Sequence, residues 1–139
     1  MQSYWVNVDS TAELVLHIWA AIAKVLLKSP QVLLLDEPTK GMDAHFKEIF
    51  ADILKDLKAE GVTVVMVSHD IEFCAKYADE CALFFNGNIV TKNKPNKFFS
   101  GNSFYTTIAN RISREYFENA ITCEDVIELC NMNLLKNVN

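Results

Sequence analysis

The chain has 139 residues, half of them hydrophobic and 22% charged, with a formal net charge of -5. That is one domain's length, with enough apolar material for a core. The acidic balance, with a pI near 5.1, excludes a nucleic-acid binder that works through a broad basic face, but not a small phosphate ligand, which needs only local donors.

Residues 1–9 carry no pattern. Ser10 to Glu13 reads S-x-x-E, a capping box that predicts a helix from about Thr11 to Leu27 or Lys28, stopped by Pro30. Within it, residues 14–27 are apolar except for His17 and Lys24. A bilayer span needs roughly 20 apolar residues, so a buried helix is expected. Asp9 and Glu13, rather than a basic segment, flank its start, which argues against a signal peptide.

Residues 32–35 are a continuous apolar run, the pattern of a strand covered on both faces of a parallel sheet. Asp43 reads as an N-cap, and Phe46, Ile49, Phe50, Ile53, Leu54 and Leu57 form one helical stripe behind it. Gly61 closes that helix, and the valine-rich residues 62–67 predict a second buried strand. Strand, helix and strand make a βαβ unit, with parallel strands and a right-handed crossover.

Asp70 predicts the start of a short helix bearing Ile71, Cys74, Tyr77 and Ala78. Residues 82–85 predict a third strand, with Asn86-Gly87 as a tight turn and Ile89-Val90 as the returning partner. "KNKPNK" reads as a polar loop, followed by helical pieces over 104–112 and 122–130, the latter capped by Thr122. The four cysteines, Cys74, Cys81, Cys123 and Cys130, form no C-x-x-C pair and are expected to be core thiols of a reducing compartment. A zinc site would need closer spacing or a nearby histidine.

Ligands of open parallel sheets gather beyond the carboxyl ends of the strands. Asp36-Glu37 ends the first strand and Ser68-His69 the second, so one crossover is expected to bring three ionisable side chains to one rim. There, one carboxylate can hold Mg²⁺ directly or through water, a second can orient or deprotonate an attacking water, and a histidine can hydrogen-bond a terminal phosphate. Taken singly, Asp-Glu before Pro is more often a solvated turn, and Ser-His-Asp more often an ordinary helix start.

"VLLLDEPTKGMDAHF", followed by "VTVVMVSHD", resembles the second half of an ATP-binding cassette (ABC) ATPase. The resemblance implies a Walker B strand ending at Asp36, which coordinates Mg²⁺ through water. It implies a catalytic role for Glu37, a D-loop at Gly41-Met42-Asp43 in which Asp43 signals across a nucleotide-sandwich dimer, and a switch histidine at His69 that senses the γ-phosphate. "AKVLLKSPQ" matches the helix and connection before Walker B, while "TKGMDAHFK" and "GNSFYTTIANR…NAITCEDVI" resemble ATPase subunits of energy-coupling-factor importers of vitamins, cobalt or nickel.

The sequence departs from that family twice. No G-x-x-x-x-G-K-S/T occurs in the 139 residues, and the signature slot, Leu-Ser-Gly-Gly-Gln in the family, reads Ala12-Glu13-Leu14-Val15-Leu16. Residues 1–19 are therefore expected to be foreign to the family, through a frameshift, a gene fragment or engineering. The alternative is a degenerate relative that no longer binds nucleotide.

The fold expected is α/β: a partial P-loop-NTPase-like (ABC cassette) parallel sheet with flanking helices, a C-terminal β-hairpin and a small helical tail. The organisation expected is an atypical leader (1–19), the Walker B, D-loop and H-loop half of a cassette (20–91) and a helical tail (92–139). By resemblance, the chain is a fragment of an importer's ATP-hydrolysing subunit. Mg-ATP is the cofactor of the complete parent domain, with none expected for this chain, whose own binding and hydrolysis of ATP are expected to be poor. The alternative is a non-catalytic truncated cassette acting as a dimerisation or docking module. A DNA-repair type of ABC ATPase fits less well, because no heptad run precedes the signature slot. Expected partners are a second copy or a second ABC ATPase subunit, and a membrane transporter subunit in the parent, with no nucleic acid. The expected location is cytoplasmic, with the parent peripheral on the membrane's inner face. Open apolar strand edges at 32–35 and 62–67, and the helix over 14–27, are expected to favour self-association.

Overall fold

The computed structural model describes residues 10–102 and 104–136, without the side chains of residues 10–15, 17, 18, 135 and 136. The readings made on residues 1–9, and the capping-box side chains of Ser10 and Glu13, lie outside the described residues. In chain order the elements are α1 (Ser10–Leu26), β1 (Val32–Asp36), α2 (Ala44–Ala59), β2 (Thr63–Val67), α3 (Ile71–Tyr77), β3 (Cys81–Phe85), β4 (Asn88–Asn93), α4 (Pro95–Ser100), α5 (Ile108–Ser113) and α6 (Cys123–Lys136). They fall into two compact units, one ending at His69 and one starting at Asp70.

In the first unit, α1 stops before Pro30, and Ser29 takes a left-handed φ of 48°; the proline disfavours helical backbone in the residue before it. β1 and β2 pair in parallel, in register from Val32 with Thr63 to Asp36 with Val67. Asp43 caps α2, its carboxylate accepting from the Phe46 amide at 2.8 Å. Gly61 at φ 90° turns the chain into β2, and the space around it is open, so backbone conformation alone calls for glycine.

Two expectations fail here. β1 is not covered on both faces: Leu33 is buried, but Leu34 is 73% exposed, and Val32, Val65 and Val67 are exposed with it. α2 packs on β2, and Phe50, Ala51 and Leu57 bury the opposite side. A continuous apolar run reports what a strand can bury, not whether a second layer arrives. Nor is α1 a buried helix. Ile22 is its one buried residue among the described side chains, with Leu16 and Val25 exposed. Among the described residues the unit's other elements, one helix and two five-residue strands, are too little surface to enclose it.

The second unit is built on Ala75, Phe98, Phe99 and Ile121, with Ile71, Cys74, Cys81 and Leu83 packed against them. Asp70 caps α3 through the Phe73 amide. β3 and β4 form the expected hairpin, an antiparallel pair with a register shift at Leu83/Phe84. Both turn residues, Asn86 at φ 47° and Gly87 at φ 79°, are left-handed, which suits the twist of a two-residue hairpin turn.

The "KNKPNK" segment is not a loop. Its first residues finish β4, and Pro95 occupies the first turn of α4, where a fixed φ and a missing N–H are no handicap. Phe98 and Phe99 then anchor that helix in the core. α5 starts at Ile108 rather than Phe104, because Asn102 Oδ1 accepts from the amides of Phe104 and Tyr105 and holds a turn there. Thr107 then caps the helix through Asn110.

α6 runs past Cys130 to Lys136. Its cap is reciprocal: Thr122 Oγ1 accepts from the Asp125 amide, and Asp125 Oδ2 accepts from the amides of Thr122 and Ile121. The four cysteines form no disulfide. Cys123 and Cys130 are exposed rather than in the core, because the inner side of α6 is occupied by half-buried Val126 and Leu129. Cys81 is half-buried, and burial pushes its thiol up to about 11.

Candidate functional site

The rim at the carboxyl ends of β1 and β2 lies within the first unit. β1 ends at Asp36, and its neighbour Glu37 leaves the strand at φ 46°. A left-handed backbone is uncommon for a residue with a side chain and costs of order 1–3 kcal/mol. It persists because the flanks are pinned. The Glu37 amide donates to the Val67 carbonyl at 2.8 Å, one step beyond the last register pair. Pro38 and Thr39 are buried behind it, and Thr39 Oγ1 lies 3.5 Å from Ser68 Oγ, tying the two post-strand segments together.

The twist aims the Glu37 carboxylate at residue 69. Oε2 accepts from the His69 backbone amide at 3.2 Å, and Oε1 stands 3.6 Å from His69 Nε2. The second separation is too long for a hydrogen bond, and Oε1 is a buried oxygen with no hydrogen-bond partner. The His69 ring is 98% exposed and the Glu37 side chain 30% exposed. The rim therefore holds a fixed carboxylate with one unused acceptor beside an imidazole that water can reach. Such a pair can order a water molecule or another small donor.

Asp36 is exposed on the strand paired with Val67, two residues before His69. Asp36, Glu37 and His69 thus share one rim, and Glu37 and His69 are in direct contact. Asp43 is placed differently. Amide–carbonyl bonds from Lys40 to Glu37 and from Met42 to Thr39, with Gly41 at φ 78°, carry the chain to the start of α2. There the Asp43 carboxylate is engaged as the cap.

Sequence reasoning did not single out the Thr39–Ser68 hydroxyl contact. Its only signal is that each hydroxyl follows a rim carboxylate or precedes the rim histidine. Among the described residues, no cluster of three or more His, Cys, Asp or Glu side chains is placed to hold a metal ion.

A family model described as "AAA domain, putative AbiEii toxin, Type IV TA system" matches residues 12–75, the span that includes the whole rim. A "Putative ABC transporter ATP-binding protein" of Bacillus anthracis is 48% identical over 115 residues, covering 83% of this chain and 21% of that protein. The energy-coupling factor transporter ATP-binding protein EcfA2 of Staphylococcus epidermidis is 40% identical over 81 residues, covering 58% of this chain and 28% of that protein. Among solved structures, cbiO1 from Clostridium perfringens, described as part of the ABC transporter complex cbiONQ, superposes with a TM-score of 0.55 at 28% identity. That match covers 70% of this chain and 37% of the other. The aligned part of this chain thus spans only a fifth to about a third of each of these proteins. No helix of the described residues is long and apolar enough to cross a membrane.

Proposed function

We propose that this chain, which is homologous to the ATP-binding proteins of ABC transporters and has the α/β fold of their cassettes, is the rim-bearing C-terminal portion of the ATP-hydrolysing subunit of an energy-coupling-factor type importer. The observation that carries the reading is the Glu37–His69 contact at the end of a parallel strand pair, with Asp36 beside it. In this reading the Glu37 carboxylate orients the attacking water, and His69 meets the terminal phosphate with its exposed ring. Asp36 contributes a water-mediated contact to Mg²⁺, and Asp43 faces a second subunit. When bound, Mg²⁺ would supply charge compensation for phosphoryl transfer.

The residues present fit half of a nucleotide site. The 139 residues hold no G-x-x-x-x-G-K-S/T, so the backbone cradle and lysine for the phosphates must come from another segment. The chain by itself accordingly binds Mg-ATP poorly. Its functional division is a leader over 1–19, the rim half over 20–91 and a helical tail over 92–139. In the parent it pairs with a second ATPase subunit and a membrane transporter subunit, on the cytoplasmic face of the membrane.

The test is complementation. The N-terminal cassette segment of the Staphylococcus epidermidis relative, joined ahead of residue 20, should restore Mg-dependent ATP hydrolysis, and Glu37→Gln or His69→Ala in the joined protein should abolish it. A joined protein that folds and binds Mg-ATP but hydrolyses it equally well with Gln at position 37 would falsify the assignment.

A second reading, a non-catalytic docking module, is favoured by one observation: Val32, Leu34, Val65 and Val67 stand exposed together on one face of β1–β2, where parallel sheets are ordinarily covered. It predicts that Glu37→Gln leaves every property of the joined protein unchanged.

A further inference from the structure

Between β4 and α4 of the second unit lies an open cavity of about 300 Å³. Thr91 and Asn93 line it from one face of β4, being two residues apart on the strand. Lys97, Phe98 and Ser100 of α4 and Asn102 just beyond that helix supply most of the rest. Gly101 makes the tight return possible: a Cβ there would sit 3.0 Å from the Lys97 carbonyl oxygen.

The chain carries 18 acidic and 13 basic residues, yet this cavity is lined by one lysine and no acid. Lys76 and Lys92 each hold a carboxylate, whereas Lys97 has no ion-pair partner among the described residues. The neutral groups offer donors as well. Asn102 Oδ1 accepts from the Phe104 and Tyr105 amides, which fixes the orientation of that side chain and leaves Nδ2 to donate. Thr91 Oγ1 accepts from Asn93 Nδ2 at 3.5 Å, which leaves the threonine O–H to donate. We propose that this cavity binds a small phosphate monoester, its phosphate held by the Lys97 ammonium and the side-chain donors of Thr91, Ser100 and Asn102.

The donors come from a strand, a helix and a turn, hence from different directions. A phosphate meets them with three acceptor oxygens in a tetrahedral spread, whereas a carboxylate offers two in one plane. The cation is a lysine, a compact point charge, and not the planar fork of an arginine. The volume is about ten times the ~30 Å³ that one water takes up in the liquid, so an organic body fits beside the phosphate. None of the lining residues belongs to the first unit, so the proposal does not depend on the rim.

The test titrates the isotope-labelled full chain with glycerol phosphate at constant ionic strength and follows the backbone amides by NMR. Residues 91–102 should shift saturably in the low millimolar range, and inorganic phosphate should shift the same residues with weaker affinity. Lys97→Gln, at an exposed position, should keep the circular dichroism spectrum and weaken binding roughly tenfold or more, the worth of one charged hydrogen bond. Thr91→Val should weaken it by a smaller factor. Shifts that sodium chloride reproduces, affinity indifferent to both substitutions, or malonate bound as tightly as glycerol phosphate would each overturn the proposal. So would a response confined to Asp36, Glu37 and His69, which would assign phosphate binding to the rim alone.

Discussion

Glu37 and His69, separated by 32 positions in sequence, meet where β1 and β2 end, the carboxylate of the first accepting from the backbone amide of the second at 3.2 Å. The contact depends on Glu37 holding a left-handed backbone at φ 46°. The rim is therefore assembled by strand pairing and backbone conformation together.

Removing the acceptor should loosen residue 69 and little else. In Glu37→Ala the His69 amide should exchange its hydrogen roughly five- to tenfold faster, about 1 kcal/mol for one exposed hydrogen bond. Glu37→Gln keeps an acceptor oxygen and should leave the rate nearly unchanged. Amide exchange followed by NMR distinguishes the two, and equal rates in both variants would remove the contact from solution.

Mg-ATP titrated into the 139-residue chain by isothermal calorimetry should show no saturable heat in the micromolar range. The rim residues can meet the end of a phosphate chain but contain no glycine-rich cradle for the rest of it. Micromolar affinity would mean that another part of the chain replaces that cradle.

Asn110 should be the most costly polar residue to truncate. It is buried, donates from Nδ2 to the Glu118 and Ala120 carbonyls at 2.9 Å each, and accepts from Thr106 Oγ1 at 3.0 Å. Asn110→Ala leaves the buried Ala120 carbonyl and the part-buried Glu118 carbonyl without their donor and should destabilise the second unit by about 2–3 kcal/mol, read from urea unfolding.

Lys76 and Glu124 pair at 2.6 Å on the surface of the second unit. The hydrogen bond to Lys76 holds the Glu124 carboxyl below its ordinary value, and the bond to Glu124 holds the Lys76 ammonium above its own. A depressed carboxyl contributes stability that is present above its unfolded value and lost as pH falls through the folded one. A raised ammonium contributes stability that is present below its unfolded value and lost as pH rises through the folded one. The pair should thus add at most about 0.2–1 kcal/mol at pH 7, given its exposure. Lys76→Met should show that loss at pH 7 and converge on the unaltered chain as acid protonates the Glu124 carboxyl, read from urea unfolding across the acid range.

Thiol alkylation should rank the cysteines by surroundings. Cys123 and Cys130 are exposed, whereas burial raises the Cys81 thiol to about 11. With iodoacetamide at about pH 8, Cys123 and Cys130 should be modified first and Cys81 last, because the thiolate is the reacting form. Peptide mass mapping over time gives the order.

What the sequence determined by itself was local and periodic. The apolar run ahead of Asp36, the stripe behind Asp43, the valine strand, the Asn86-Gly87 turn and the caps at Asp43, Asp70 and Thr122 each follow from the preferences of a few adjacent residues. The pairing of β1 with β2, and with it the shared rim of Asp36, Glu37 and His69, was legible because a short strand–helix–strand segment has few ways to close. What only the tertiary structure decided was cover. Leu34 and Val67 are as apolar as Leu33, yet they remain exposed because no second layer reaches them among the described residues. Cys123 and Cys130 face outward because Val126 and Leu129 take the inner side of α6. Pro95 opens a helix rather than a loop because Phe98 and Phe99 find the core. Burial depends on which distant surfaces arrive, and an individual residue's hydrophobicity carries no record of that.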